Sequence, residues 1–458
     1  MTDTCTADIA RHCAALSPRT IPAHVLQDAR LLVVDTLGTL VGGWDSPPAR
    51  IAQELASHET STPGARVVGV DRPSSVEAAA FANTVAARYL DYNDTYQGIG
   101  TGHPSDMIPA LLSVGEAYGR SGTDLLVAVV TAYEAFGAVA KTVPIRDKGF
   151  DQGVLIGLGT AAGAAKLMGL PEDQIREAVG LVVTMCVPLR STRSGRLFMW
   201  KGAATAAATR LGVFAATLAA AGMTGPDQPI EGRHGLWEQV TGEFHVRPFG
   251  GDDAWMVSST SIKFFAAEST SHGALQMVLQ LRDQVPLSDI AHMRVGTFWN
   301  CYHEIASEPE KWTPETRETA DHSLPFIMAA CLVDGYISKN SFDAAHLADP
   351  RIRELMAKTT VEHEPAFTAM WPDGIKSSLD VTTVDGRALH FEVEHPIGHP
   401  KNRGTAADIE KKFLGNVTEA FGADRAAELV AALRDVDDLD AARLVDLFAH
   451  DAPVPAGR

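Results

Sequence analysis

Three short stretches gather the residue types that move protons and hold anions. The first is Asp91-Tyr92-Asn93-Asp94-Thr95, followed by Gly98, Gly100 and Gly102, then His103-Pro104-Ser105-Asp106. Two acids precede a Gly-rich loop, and an imidazole stands at a helix start, whose unpaired amides favour anions. His103 is the natural general acid or base there, because an unperturbed imidazole titrates near neutral pH. The competing reading is an ordinary capping loop. The second stretch carries Arg190, Arg193, Arg196 and Lys201 around Met199-Trp200. Such cations can hold a polycarboxylate or a phosphate; alternatively they form a solvated basic turn paired with surface acids. The third is Ser261-Ile262-Lys263-Phe264-Phe265-Ala266-Ala267-Glu268, with His272 beyond. A lysine among apolar residues, near an acid and an imidazole, is where pKa values shift, unless it only snorkels to the surface. A fourth run, Glu315 to Pro325, ends in the helix start Ser323-Leu324-Pro325, so Asp321 and His322 read as capping groups.

Other patterns carry less. Gly157-Leu158-Gly159-Thr160-Ala161-Ala162 fits GxGxxG/A, but its flanks read as helix and no βαβ unit follows. Close helix packing is the expectation there. His303-Glu304 lacks the second histidine of a zinc-protease motif, and prolines between His395 and His399 forbid the helix that would align them. The five cysteines show no CxxC spacing, so neither a disulfide framework nor a thiolate zinc site is expected. A net charge of -18, with no basic patch, argues against nucleic acid. No basic-then-apolar leader opens the chain and no uninterrupted apolar run of membrane-spanning length occurs, so a cytoplasmic protein without a membrane partner is expected.

The elements that must position these groups are mostly helical. Apolar residues at helical spacing mark Pro22 to Val41, Pro104 to Tyr118, Thr123 to Thr142, Gly153 to Met168, Glu172 to Cys186 and Lys201 to Ala221. Many are rich in Ala and Gly, which predicts closely packed axes. From about 285 to 400 the character changes. Met293 to Trp299 alternates as a strand, and Ser378 to Val384, Asp385-Gly386 and Arg387 to Val393 predict a hairpin with a tight turn. Helices are expected at Ser323 to Tyr336 and Asp349 to Lys358, then at Ala406 to Leu414, Ala423 to Leu433 and Leu439 to His450. The fold class is therefore mainly α. A large helical domain is drawn from 1–270 and 403–458, with a smaller α+β lid, 271–402, inserted.

In this order the clusters resemble the MmgE/PrpD family of 2-methylcitrate dehydratases, cis-aconitate decarboxylases and related enzymes. The matching text is Asp91 to Thr95 with Gly102-His103-Pro104-Ser105, Met199-Trp200-Lys201-Gly202, Glu231-Gly232-Arg233-His234-Gly235-Leu236 and Lys263 to Glu268. It continues through Arg317 to Pro325 and Gly398-His399-Pro400-Lys401-Asn402. The resemblance implies a two-domain homodimer with neither metal nor organic cofactor, and a site between the domains. It carries Asp91, Thr95, His103, Lys201 and Lys263 into that site. Two departures stand out: Asp151-Gln152 replaces family histidines, and Glu268 stands near where decarboxylase-like members place one.

The implied activity is a cofactor-independent lyase, a dehydratase acting on a small di- or tricarboxylate such as 2-methylcitrate. Proton abstraction beside a carboxylate needs a placed base and cations for the growing charge. Lys201, Lys263 and Arg196 are expected to clamp the carboxylate. His103 moves the proton, Asp91 orients it or takes the proton itself, and Glu268 or His272 protonates the leaving hydroxyl. Thr95, Arg196, His272 and Asp151 complete the substrate-binding set. The alternatives are a cis-aconitate-type decarboxylase, an iminodisuccinate-type epimerase, or a non-catalytic dimeric binding scaffold.

Overall fold

The computed structural model describes residues 4–250 and 254–449. It is 57% helical with only small sheets, so the fold is mainly α. Local chemistry explains the helix boundaries. Ser121 and Asp124 form a reciprocal capping box that opens Gly122–Ala140, and Thr405 and Asp408 do the same for Ala406–Phe421. Gly169, at φ 80°, closes Gly153–Met168 in the left-handed conformation. The end expected at His450 lies outside the described residues; the last helix there is Ala441–Asp446.

Small residues set the spacing of the helical layer. A Cβ on Gly212 would lie 2.6 Å from the Thr160 Cβ and 2.8 Å from the Gly157 carbonyl oxygen. One on Gly159 would lie 2.6 Å from the Ala132 carbonyl oxygen. Helices Gly122–Ala140, Gly153–Met168 and Trp200–Ala220 therefore touch through backbone, and the GxGxxG/A run is mid-helix packing without a preceding strand. Gly122–Ala140 and Trp200–Ala220 are long and apolar enough to cross a bilayer, but 83% and 61% of their apolar windows are buried inside the protein. They are core helices of this fold.

The apolar side chains form two large clusters. One gathers residues from Cys5 to Val257 and again from Ile409 to Phe448; the other gathers Phe265 to Val381. The second contains a four-stranded sheet in the order Thr359–His363, Ile290–Thr297, Ser377–Thr383, Ala388–Val393. Its first pair is parallel and the other two antiparallel, with Val295 opposite both Val361 and Leu379. The parallel strand Thr359–His363 escaped the sequence reading. The expected hairpin is present, but Val384, Asp385 and Gly386 form a three-residue loop closed by Thr383 N–H to Arg387 O at 2.9 Å. Gly386, at φ 88°, supplies the left-handed residue that such a loop needs.

The chain crosses between the clusters twice, and the crossings lie side by side. Ile262 N–H donates to Gly398 O at 3.0 Å. Gly398 has φ 92°, and a Cβ there would come within 1.8 Å of the Ile262 carbonyl oxygen. Only glycine permits that approach.

Candidate active site

The clusters meet at Asp91. Helix Val76–Tyr89 is Ala-rich, is capped by Ser75 at its start, and ends at Leu90. Asp91 follows in a left-handed conformation, φ 50°, which costs a non-glycine residue on the order of 1–3 kcal/mol. That turn aims its carboxylate back at its own helix, where Arg88 Nη1 lies 2.8 Å from Oδ1. Lys263, from the first crossing, bonds the same Oδ1 and donates to the Asp91 carbonyl at 2.9 Å. Lys201, in the first turn of Trp200–Ala220, lies 3.1 Å from Oδ2. All four side chains are at most 3% exposed.

The second cluster supplies the rest. Asp321 and His322 follow the short helix Arg317–Ala320. Asp321 accepts from Lys201 Nζ at 2.7 Å and from Arg317 at 3.1 Å, and its Oδ1 is 2.7 Å from His322 Nδ1. The other ring nitrogen, Nε2, faces Asp91 Oδ2 at 3.4 Å. Acceptor atoms of Asp91, Asp321 and His322 thus lie within 4.8 Å of one another, spacing that suits a metal ion. Lys201 Nζ is within 3.2 Å of all three residues, so an ammonium already takes the cation's place.

Charge explains the protonation states. Burial opposes ionisation of Asp91, yet Arg88, Lys263 and Lys201 together hold its carboxyl well below the usual range. Asp321 is likewise held down against burial, by Lys201 and His322. Burial, Arg88 and Lys263 push His103 well below its ordinary value, so its ring is neutral at pH 7. His103 Nδ1 lies 2.6 Å from the Asp94 carbonyl oxygen. A carbonyl only accepts, so Nδ1 carries the hydrogen and Nε2 presents a lone pair. Gln152 Oε1 accepts from the His103 backbone N–H at 2.8 Å, which fixes the residue from a second side. Asp94 itself accepts from Ser105 N–H at 3.0 Å, the Ser105 hydroxyl at 2.5 Å and Tyr133 at 2.8 Å; burial raises its carboxyl to about 7.

The expected residues fall into three groups. Asp91, Lys201 and Lys263 come together. Thr95 helps assemble them: it exchanges backbone hydrogen bonds of 2.8 Å with Ser261, which brings Lys263 to the Asp91 loop. Thr95, Lys263 and His272 line a 10 Å³ cavity with Ser269 and His399. His272 is pushed down to about 3, chiefly by burial and then by Lys263, and its Nε2 has no partner among the described residues.

The remaining residues are engaged elsewhere. Arg196 is half exposed and faces Glu315 at 3.4 Å, outside the Asp91 cluster. Asp151 binds Arg193 at 2.7 Å and the Gly153 N–H at 3.1 Å, so it anchors a loop and a helix start. Arg190 lies 2.5 Å from Glu304 of the second cluster. The basic stretch therefore distributes its charges among separate partners. Glu268 accepts from Thr270 N–H at 2.7 Å and caps its own turn. Asp91 touches cations, while a backbone carbonyl orients His103.

The capping assignment at Asp321-His322 is corrected. Thr316 caps Arg317–Ala320 and Ser323 caps Leu324–Asp334, leaving Asp321 and His322 free to face Lys201. Arg88 was missed as well. It stands in the last turn of the helix that leads into Asp91, three residues before it, and that closeness in sequence was the available signal.

Comparisons with known proteins agree with this architecture. The family model of the MmgE/PrpD N-terminal domain matches residues 7–248, and that of the C-terminal domain matches 265–438. The 2-methylcitrate dehydratase of Cupriavidus necator is 29% identical over 444 residues, covering 90% of each chain. The cis-aconitate decarboxylase of Homo sapiens is 26% identical over 94% of this chain and 91% of its own. The 2-methylcitrate dehydratase of Escherichia coli K12 is 26% identical over 86% of each. With both family domains matched in order along most of its length, this chain belongs to the MmgE/PrpD family.

Proposed function

We propose that the protein is a lyase that dehydrates a small di- or tricarboxylate, of which 2-methylcitrate is the first to test. The observation that carries this reading is the convergence of Lys201 and Lys263 on one carboxylate, where the two apolar clusters meet. Arg88, Lys201, Lys263 and Arg317 outnumber by one the Asp91, Asp321 and Asp106 carboxylates they contact, so the pocket has positive charge to offer an anion. Removing a proton beside a carboxylate spreads charge onto its oxygens, and preplaced ammonium groups away from water stabilise that charge. His103, neutral with a free Nε2 lone pair, takes the proton. The chemistry proceeds in this reading without a metal, since Lys201 supplies the cation.

Between the clusters, the 10 Å³ cavity beside Lys263 has room for about one water. A tricarboxylate therefore enters only when the clusters part, and their closing excludes water. The reading includes a homodimer, supported by the exposed apolar run Phe198, Met199 and Trp200 near Leu189. A reducing, cytoplasmic setting fits the five buried free cysteines.

The test is turnover of 2-methylcitrate, citrate, cis-aconitate and iminodisuccinate, followed by NMR in deuterated water. An unsaturated acid from 2-methylcitrate or citrate supports the reading. Carbon dioxide release from cis-aconitate, deuterium incorporation into iminodisuccinate without elimination, or binding of all four without turnover would replace it. His103→Gln is expected to keep its fold and lose nearly all turnover; wild-type rates would remove His103 from the mechanism.

A further inference from the structure

Dehydration needs a proton donor for the departing hydroxyl, and neither residue first expected in that role is placed for it. Glu268 is engaged by the Thr270 N–H and hydroxyl of its own turn. His272 is neutral and faces Phe265 edge-on at 5.3 Å.

His322 has the geometry that both lack. Each ring nitrogen faces a different carboxylate, Nδ1 to Asp321 Oδ1 at 2.7 Å and Nε2 to Asp91 Oδ2 at 3.4 Å. Nδ1 is hydrogen-bonded to Asp321 and also lies 3.2 Å from Lys201 Nζ, while Nε2 is left without a hydrogen bond to Asp91 and faces the space beside it. Its side chain is 12% exposed, so these contacts are made largely out of water. His322 belongs to the second cluster, whereas His103 belongs to the first. The ring also meets Lys201, which with burial favours the neutral form; Asp321, Asp91 and the nearby Glu304 oppose that. On balance burial and Lys201 hold the free ring below its ordinary value, so it is mostly neutral at pH 7; a substrate carboxylate that pairs with Lys201 lessens that opposition and lets Asp321 hold the proton.

We propose that His322, held by Asp321, is the general acid that protonates the departing hydroxyl, with His103 as the base. This rests on the dehydratase reading. The carbon–hydrogen bond breaks with its proton going to His103 Nε2, and the remaining electron pair is held as a carboxylate-stabilised carbanion beside Lys201 and Lys263. That pair becomes the second carbon–carbon bond as the carbon–oxygen bond breaks. The hydroxyl takes the proton from His322 Nε2 and leaves as water. His103 ends with one proton more and His322 with one fewer, and exchange with solvent restores both.

Because the two steps use different residues, they can be separated. Wild-type enzyme, His322→Gln and His103→Gln are each incubated with 2-methylcitrate in deuterated water, and NMR reads deuterium uptake and alkene formation. In His322→Gln, alkene formation is expected to fall about 100-fold or more, while deuterium uptake stays within about tenfold of wild type. His103→Gln is expected to lose both. If His322→Gln does not fold by circular dichroism, Asp321→Asn takes its place, with the same split at smaller amplitude. Equal loss of both signals, or loss of neither, overturns the assignment of His322. Wild-type enzyme that makes no alkene overturns the dehydratase reading and this inference with it.

Discussion

Two buried ionic groups lie close together in sequence contact but are built on different plans. Lys412 bonds Asp35 at 2.6 Å, donates to the Tyr92 carbonyl at 2.7 Å, and stands 4.1 Å from the Tyr92 ring centre. That is one cation, one carboxylate and one ring, and it joins helix Ala406–Phe421 to Ala23–Gly43 inside the helical cluster. One residue before Tyr92, the Asp91 carboxylate is shared by Arg88, Lys201 and Lys263 and approached by His322 from the other cluster. A matched pair leaves nothing to offer a ligand. An overcrowded carboxylate holds cations in reserve, and a substrate anion can compete for them. Burial alone therefore does not mark function here; the mismatch between cations and anions does.

The comparison breaks first at the lysines. Lys263→Met is expected to lower turnover by about 10³-fold or more, measured with the acid the wild type dehydrates, because the developing charge loses a preplaced cation. A loss under tenfold would make the Asp91 cluster as structural as the Asp35 pair. Lys412→Met probes the other side. Stranding Asp35 in the core is expected to cost about 3–5 kcal/mol in urea unfolding. Removing both charges in Asp35→Leu/Lys412→Met should restore much of it.

A third buried group, unpaired, sharpens the contrast by pH. His272 is held at about 3 in the folded chain against an ordinary 6.5, so the unfolded chain takes up the proton first. Its contribution is intact above about 6.5 and is lost as pH falls from there toward 3, at about 1.4 kcal/mol per pH unit. Melting curves of His272→Leu across that window should slope less than wild type. The smallest effect is expected from Arg196→Ala. Its partner Glu315 is exposed, so stability should change by about 0.5 kcal/mol or less, with turnover within about twofold.

These outcomes bear on what the sequence could disclose. Helix positions and the α+β insert were legible because apolar spacing is local. Asp91, Lys201 and Lys263 were legible as residue types in suggestive company, but their meeting was not, since Lys201 and Asp321 are 120 positions apart and lie in different clusters. Asp321 and His322 were misread because Ser323-Leu324-Pro325 announces a helix, and a helix start explains neighbouring polar residues well enough to end the search. Arg196 shows the converse. Charge density along a loop says nothing of direction, and Arg190, Arg193 and Arg196 turn to Glu304, Asp151 and Glu315 respectively.

The contact between Gly398 and Ile262 has a mechanical meaning. Two chain crossings that are bonded to each other cannot bend independently; if the clusters part to admit substrate, as proposed, the pair is the natural axle. Lys263 is the residue next to that axle. A point beside an axle moves least when a door opens, so in such a swing Lys263 would stay near Asp91. Asp321 and His322, farther along the second cluster, would travel with the door's edge. Under that reading, part of the anion site would stay assembled and its other part would arrive on closing.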